Sequence, residues 1–72
     1  ELRSASDTLS EVQAKMQEYL ENGLQLGWLI NPQDQQVEIY RPNQTAEILD
    51  APTELSANPI LPGFQLNLTN IL

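Results

Sequence analysis

The 72-residue sequence contains no cysteine and no histidine. Without cysteine the chain forms no disulfide bond and no thiolate metal site, and without histidine a zinc ion would have only carboxylate ligands. The usual supports of a very small domain are therefore excluded. A chain of this length buries only about 60% of the surface that its unfolded form exposes. We therefore expect one small unit whose core is completed by more of the same chain or by a partner chain.

Positive charge is also scarce, since three Lys and Arg residues stand against ten Asp and Glu residues, for a formal net charge of −7. Surfaces that bind nucleic acids are basic because they neutralise phosphates. The composition argues against a module that binds nucleic acid by itself, but it allows a segment that contributes one metal-binding carboxylate to a larger site. No run approaches the roughly 20 apolar residues of a membrane span. With no cysteine and no signal-peptide pattern, we expect a cytoplasmic protein without a membrane partner.

What the sequence does contain is an amphipathic helix, which we predict from about Thr8 to Asn22. Thr8 and Glu11 have capping-box spacing, although Asp7 could cap the helix instead. Gly23 follows where helices commonly end in a left-handed residue. Apolar residues recur at helical spacing and form one stripe that we expect to be buried: Leu9, Val12, Met16, Tyr19 and Leu20.

After the helix the hydrophobic pattern alternates, which is typical of strands. Leu29 falls on the second face, so we expect both faces of this strand to be covered. Turn-forming residues in NPQDQQ separate it from VEIY, and residues 26–40 therefore predict a β-hairpin. The apolar residues of its first face are Leu24, Leu26, Trp28 and Ile30.

Beyond the hairpin we predict a short edge strand over Ala46 to Leu49, a loop over residues 50–62 with a short extended piece near Leu55, and a short C-terminal helical turn that caps the core. The fold class is thus α/β (α+β), in the order strand end, helix, β-hairpin or meander, helical turn.

A strand–helix–strand order usually needs a parallel sheet, yet residues 1–4 are too short for a stable strand. We expect the first strand to be cut off at its N-terminal end, so that residues 1–72 form a single partial domain.

The predicted strand end carries an acid two residues before a cation, namely Glu1 and Arg3. This acid-x-cation triplet is the pattern in the chain that suggests catalysis. In metal-dependent phosphodiesterases such an acid binds Mg²⁺, and the cation steadies the attacking water or the phosphate. Acid-x-cation triplets also occur by chance. On the structural alternative Glu1 is a solvated residue, Arg3 pairs with Glu1 or Asp7, and Lys15 pairs with a glutamate one turn earlier on the helix.

Several motifs occur together along the chain with a common spacing. In order they are Glu1-x-x-Ser4-x-Ser6-Asp7, Lys15 and Tyr19 on the predicted helix, Gly23, GWLINP, VEIYRP and the closing LPGFQLNL. Together they resemble a large bacterial family of restriction-endonuclease-like proteins, the Uma-two family of the PD-(D/E)XK nuclease superfamily. The resemblance extends over essentially the whole chain, but it covers only the C-terminal part of the family domain.

The resemblance implies a restriction-endonuclease-like fold and a Mg²⁺-dependent phosphodiesterase that acts on DNA. Glu1 would be the acid of the (D/E)xK element and a metal ligand, together with an upstream Asp that this chain does not contain. Arg3 stands where the superfamily has its lysine. Arginine stays protonated and is a poor base, although it can bind phosphate. The resemblance suggests that Lys15 takes over the lysine role, and the choice between Arg3 and Lys15 stays open.

On this interpretation the chain is inactive alone. Its partners are the missing N-terminal part of the same domain or a second chain, and DNA for the complete protein. The alternative is a non-catalytic oligomerisation or interaction module, such as a homodimer, that uses the Val37–Tyr40 strand and the edge strand as its contact surface.

Overall fold

The computed structural model describes all residues from Glu1 to Leu72. Its one helix, α1 (Leu9–Glu21), confirms the predicted amphipathic helix. The hydroxyl of Thr8 accepts a hydrogen bond from the Glu11 amide at 3.3 Å and donates one to the Glu11 carboxylate at 2.8 Å, so Thr8 is the cap. Gly23 has φ +101°, the left-handed conformation expected after a helix end. No helix combines the length and the apolar character needed to cross a lipid bilayer.

Three antiparallel strands form the main sheet in the order β1 (Gly27–Asn31), β2 (Gln36–Tyr40) and β3 (Glu47–Asp50). The predicted hairpin and the predicted edge strand are therefore present, with β3 one residue later than expected. The first residues pair with the edge of this sheet, because Leu2 forms a parallel bridge with Ile30. Together with α1, this bridge gives the strand–helix–strand arrangement that the element order predicted.

The helix covers one face of this sheet. Val12 and Met16 from α1 pack against Leu29 and Tyr40 from the sheet, and all four are buried. Leu29 on the helix side and Ile30 on the opposite side are both buried, which confirms that β1 is covered on both faces. Leu24 also packs into this helix-side cluster, so it does not share a face with Ile30 as the alternation predicted. The chain reaches β1 only at Gly27, and Leu24 is therefore free to turn back toward the helix.

A second hairpin covers the opposite face of the sheet. It consists of β4 (Glu54–Ser56) and β5 (Gln65–Asn67), which pair antiparallel. Leu55 from β4 and Leu68 after β5 pack against Ile30, Val37 and Ile39 from the main sheet. The short extended piece near Leu55 is confirmed as β4.

The C-terminal segment differs from its prediction in detail. Strand β5 was not predicted, and the residues after it form one hydrogen-bonded turn in which the amides of Ile71 and Leu72 both donate to Leu68 O. Leu68 is buried, but Phe64 stays 46% exposed and Ile71 36% exposed. These two side chains therefore lie outside the core, whereas Leu66 and Leu72 pack against it.

Candidate active site

The backbone of residues 1–3 is fixed to the edge of the sheet and so positions Glu1. Ile30 donates its amide hydrogen to Glu1 O at 2.9 Å, and Arg3 donates its own to Ile30 O at 2.9 Å. The amino group of Glu1 donates to Trp28 O at 2.9 Å. The Glu1 residue is exposed, and its carboxylate accepts one hydrogen bond, a long one of 3.5 Å from the Tyr19 hydroxyl. Glu1 is therefore held at the backbone while its carboxylate faces solvent.

Two glutamates lie on the helix-facing side of the sheet, one on each flank of α1. Because Leu2 is paired with Ile30, Glu1 lies beside Leu29, and Leu29 is in turn paired with Glu38 on β2. Strands are about 4.8 Å apart, so the Cα atoms of Glu1 and Glu38 are separated by roughly 10 Å. The helix lies above Leu29 and divides these two carboxylates.

Lys15 lies on the same flank of α1 as Tyr19 and Glu1. It precedes Tyr19 by four residues, which places the two side chains one turn apart on one helix face. The positive charge of Lys15 is also near enough to contribute to the lowered pKa of Asp7. Lys15 is exposed, and neither of the two ion pairs of the chain includes it. The pairing with Glu11 that the structural alternative required is therefore absent.

Arg3 lies on the same side of the sheet, but its guanidinium is occupied by protein groups. It donates to Asn31 Oδ1 at 3.0 Å and to the carbonyl oxygen of Asp7 at 3.2 Å, and it lies 3.6 Å from the Asp34 carboxylate. Its side chain is only 18% exposed. Arg3 thus links the first strand, the turn before α1 and the end of β1, and it does not pair with Glu1.

Asp7 holds the turn that leads from the first strand into α1. Its carboxylate accepts hydrogen bonds from the backbone amide of Ser4 at 3.1 Å and from the Ser4 hydroxyl at 2.9 Å. The backbone hydrogen bond contributes most to a pKa below the usual value, followed by the hydroxyl, with smaller contributions from Lys15 and Arg3. Asp7 is therefore a structural acceptor.

A buried polar cluster on the other flank of α1 was missed from the sequence. Glu38 is 4% exposed, and its carboxylate accepts hydrogen bonds from Gln13 and from the Tyr40 hydroxyl at 2.7 Å. Burial first, and then the hydrogen bond to Glu38, raises the pKa of Tyr40 well above its ordinary value of 10.0. In the sequence, Glu38 is one residue of an alternating strand pattern. No local pattern predicts that a helix covers it.

The prediction that Tyr19 is a buried core residue is wrong. It is 44% exposed, because it lies at the margin of the stripe whose centre is formed by Val12 and Met16. This exposed position is what brings the Tyr19 hydroxyl to Glu1.

The donor groups of this chain fit Mg²⁺ only in part. Mg²⁺ prefers oxygen ligands such as a carboxylate, and Glu1 offers one at an exposed position. No group of three or more His, Cys, Asp or Glu side chains that could hold a metal ion occurs in the structure. The residues of this chain by themselves therefore do not form a Mg²⁺ site.

Comparison with known proteins agrees with this fold. The chain is similar to a protein of known crystal structure, a putative nuclease belonging to DUF820 from Anabaena variabilis ATCC 29413, with a TM-score of 0.70 and 37% sequence identity. The match covers 83% of this chain and 34% of that protein. The chain thus has the fold of part of that nuclease and spans about a third of its length. A family model described as "Putative restriction endonuclease", Uma2, matches residues 1–69. The chain belongs to the Uma2 family. None of the curated proteins that were compared matches it.

Proposed function

We propose that this chain supplies one part of the active site of a Mg²⁺-dependent nuclease that hydrolyses phosphodiester bonds in DNA. Glu1 is the metal ligand from this chain, and Lys15 is the catalytic lysine. The observation that carries the proposal is the placement of an exposed Glu1 carboxylate and an unpaired Lys15 on the same flank of α1, in a member of the Uma2 family.

Each residue of this flank has a distinct role in the proposal. Lys15 is an exposed cation that forms no ion pair, so its ammonium is available to bind an oxygen of the scissile phosphate. The Tyr19 hydroxyl orients the Glu1 carboxylate. Arg3 positions the strand that carries Glu1, because its guanidinium is already bound to Asn31 and Asp34.

The bound metal would polarise the phosphate and generate a nucleophile from water at neutral pH. One carboxylate rarely holds Mg²⁺ usefully, so the remaining ligands come from a preceding part of a longer domain or from a second chain. The net charge of −7 also means that the affinity for DNA phosphates comes from outside these 72 residues. We therefore expect the isolated chain to be inactive.

A chimera tests this proposal. This chain replaces the matching third of the Anabaena nuclease, and cleavage of plasmid DNA is measured with and without Mg²⁺. We expect Mg²⁺-dependent nicking that Glu1→Ala reduces at least about a hundredfold. Glu18→Ala, which removes an exposed acid from the same helix, is the matched control and should leave cleavage unchanged. Undiminished cleavage by the Glu1→Ala chimera would show that the assignment is wrong.

A second candidate function is a homodimer, which the surface opposite to the helix favours. A groove of about 340 Å³ on this face is lined by eight apolar residues and by Glu1. Of these, Leu61 is 56% exposed, Ile60 47% and Phe64 46%. Exposed apolar patches of this kind often mark protein–protein contacts. Trp28 packs against Phe64 there with the ring centroids 6.2 Å apart.

Size-exclusion chromatography with light scattering tests the homodimer. If the groove is the interface, the wild-type chain is a dimer at micromolar concentration, and Leu61→Gln is a monomer. Ile48→Gln is the matched control, because Ile48 is equally exposed at 56% but lies outside this groove. A monomeric wild-type chain at that concentration would rule out this function.

A further inference from the structure

The buried carboxylate of Glu38 has no cationic neighbour. Arg3 is paired with Asp34, and Arg41 is paired with Glu47. Lys15 lies on the opposite flank of α1. Buried carboxylates are normally paired with a cation, because removing an isolated charge from water is unfavourable. Glu38 instead accepts hydrogen bonds only from neutral donors, namely one amide and one phenol.

The amide of Gln13 occupies the position at which a cation would bind. Its single nitrogen Nε2 lies 3.1 Å from Glu38 Oε1 and 2.9 Å from Oε2, so it bridges the two carboxylate oxygens. An arginine in a bidentate ion pair also contacts both carboxylate oxygens, but it does so with two parallel N–H groups. Oε1 accepts a second hydrogen bond from Tyr40, whereas Oε2 accepts only that of Gln13. A carboxylate has about four acceptor positions, so Oε2 can accept one more hydrogen bond.

Glu38 lies at the floor of an open groove rather than inside a closed core. This groove, about 590 Å³ in volume, runs between α1 and β3 and is lined by Gln13, Glu38 and Tyr40. Its walls include the apolar side chains of Ala14, Ala46 and Ile48, and Ile48 is 56% exposed. A carboxylate below apolar walls fits a side chain with an aliphatic stem and a cationic end, which is the structure of arginine.

We propose that the groove between α1 and β3 is a docking site for a basic protein segment, which inserts one arginine onto Glu38 in place of the Gln13 amide. The charge of the chain complements such a partner, because the net charge of −7 attracts basic segments and accelerates their association. The site is separate from Glu1 and Lys15, since α1 lies between them. The proposal therefore does not depend on nuclease activity.

Binding is tested by nuclear magnetic resonance on the isotope-labelled 72-residue protein. The probe is a short peptide with one central arginine and no other charge, and the control peptide carries the neutral isostere citrulline at that position. We expect the arginine peptide to shift the Gln13 side-chain amide and the Tyr40 resonances. The citrulline peptide should bind at least about tenfold more weakly, because a charge-assisted hydrogen bond is lost. Equal binding of both peptides, or shifts confined to the exposed acids, would overturn the proposal.

Variants of the chain separate docking from a purely structural role of the cluster. Glu38→Gln should weaken binding of the arginine peptide at least about tenfold, whereas Glu18→Gln, which removes the same charge from the outer face of α1, should not. Gln13→Ala leaves the carboxylate in place and removes the group that the arginine displaces, so this variant should bind more tightly than the wild-type chain. Unchanged binding by Glu38→Gln, or a loss of binding in Gln13→Ala, would contradict the docking site.

Discussion

The guanidinium of Arg3 donates a hydrogen bond to Oδ1 of Asn31 at 3.0 Å, and Asn31 has no exposed surface. Asn31 also donates to the Asp34 carboxylate at 2.9 Å, so that Arg3, Asn31 and Asp34 form one connected group. Arg3 thus connects the first strand to the β1–β2 hairpin.

Replacing Arg3 should lower stability. In Arg3→Ala the buried Oδ1 of Asn31 loses its donor, and an unsatisfied buried acceptor costs about 1–3 kcal/mol. Urea denaturation followed by circular dichroism measures this loss. Arg41→Ala is the matched control, because the Arg41–Glu47 pair is exposed and such pairs contribute about 1 kcal/mol or less. An equal loss in the two variants would contradict the structural role of Arg3.

Lys15 and Arg3 should affect cleavage differently in the chimera. Lys15→Ala should reduce cleavage of DNA at least about a hundredfold without changing the free energy of unfolding, because Lys15 is exposed and unpaired. Arg3→Lys should retain most of the cleavage, since it keeps a donor near Asn31. Initial rates at saturating Mg²⁺ measure both effects. If Arg3→Lys abolished cleavage while Lys15→Ala left it intact, the two roles would be reversed.

The left-handed conformation at Gly23 makes this position sensitive to any side chain. Gly23→Ala should destabilise the protein by about 1 kcal/mol, because φ is +101° and a Cβ atom disfavours this region. No neighbouring atom would contact the added Cβ, so the cost comes from the backbone alone. Gly23→Asn should cost less, since asparagine tolerates left-handed conformations better than alanine does. Denaturation midpoints of the two variants decide the order.

Tyr40 should make the protein less stable in alkaline solution. Its pKa in the folded protein lies above 10.0, the ordinary value expected in the unfolded chain, because of burial and the hydrogen bond to Glu38. The folded state therefore holds the proton more tightly. The resulting stabilisation is fully present below pH 10.0 and is lost as the pH rises from there through the folded-state pKa.

The free energy of unfolding, measured in urea across this alkaline range, tests the expectation for Tyr40. Tyr40→Phe should show a shallower decline with pH than the wild-type chain. Tyr19→Phe removes an exposed hydroxyl and serves as the comparison, with a decline close to that of the wild type. A decline that Tyr40→Phe leaves unchanged would mean that another group is responsible.

The local elements could be predicted because their signals lie close together in the chain. Thr8, Glu11 and Gly23 fix the ends of α1 through hydrogen bonds and backbone conformation within a few residues of each other. The turn residues between Ile30 and Val37 fix the hairpin in the same way. The family resemblance was likewise visible from the motifs, and the family model confirms it over residues 1–69.

Only the tertiary structure decided which side chains meet. The apolar stripe of α1 predicted that Tyr19 is buried. In the structure Val12 and Met16 pack on Leu29, and Tyr19 lies at the margin of this contact, where its hydroxyl reaches Glu1. The same packing placed Gln13 over Glu38, a contact between residues 25 positions apart. Strand β5 escaped prediction because its pairing with β4 needs a partner across a long loop. The sequence by itself determined α1 and the hairpin, since capping, turn chemistry and hydrophobic period act locally. The division of Glu1 and Glu38 between the two flanks of α1 depends on how the helix docks onto the sheet, and that is set by packing between distant residues.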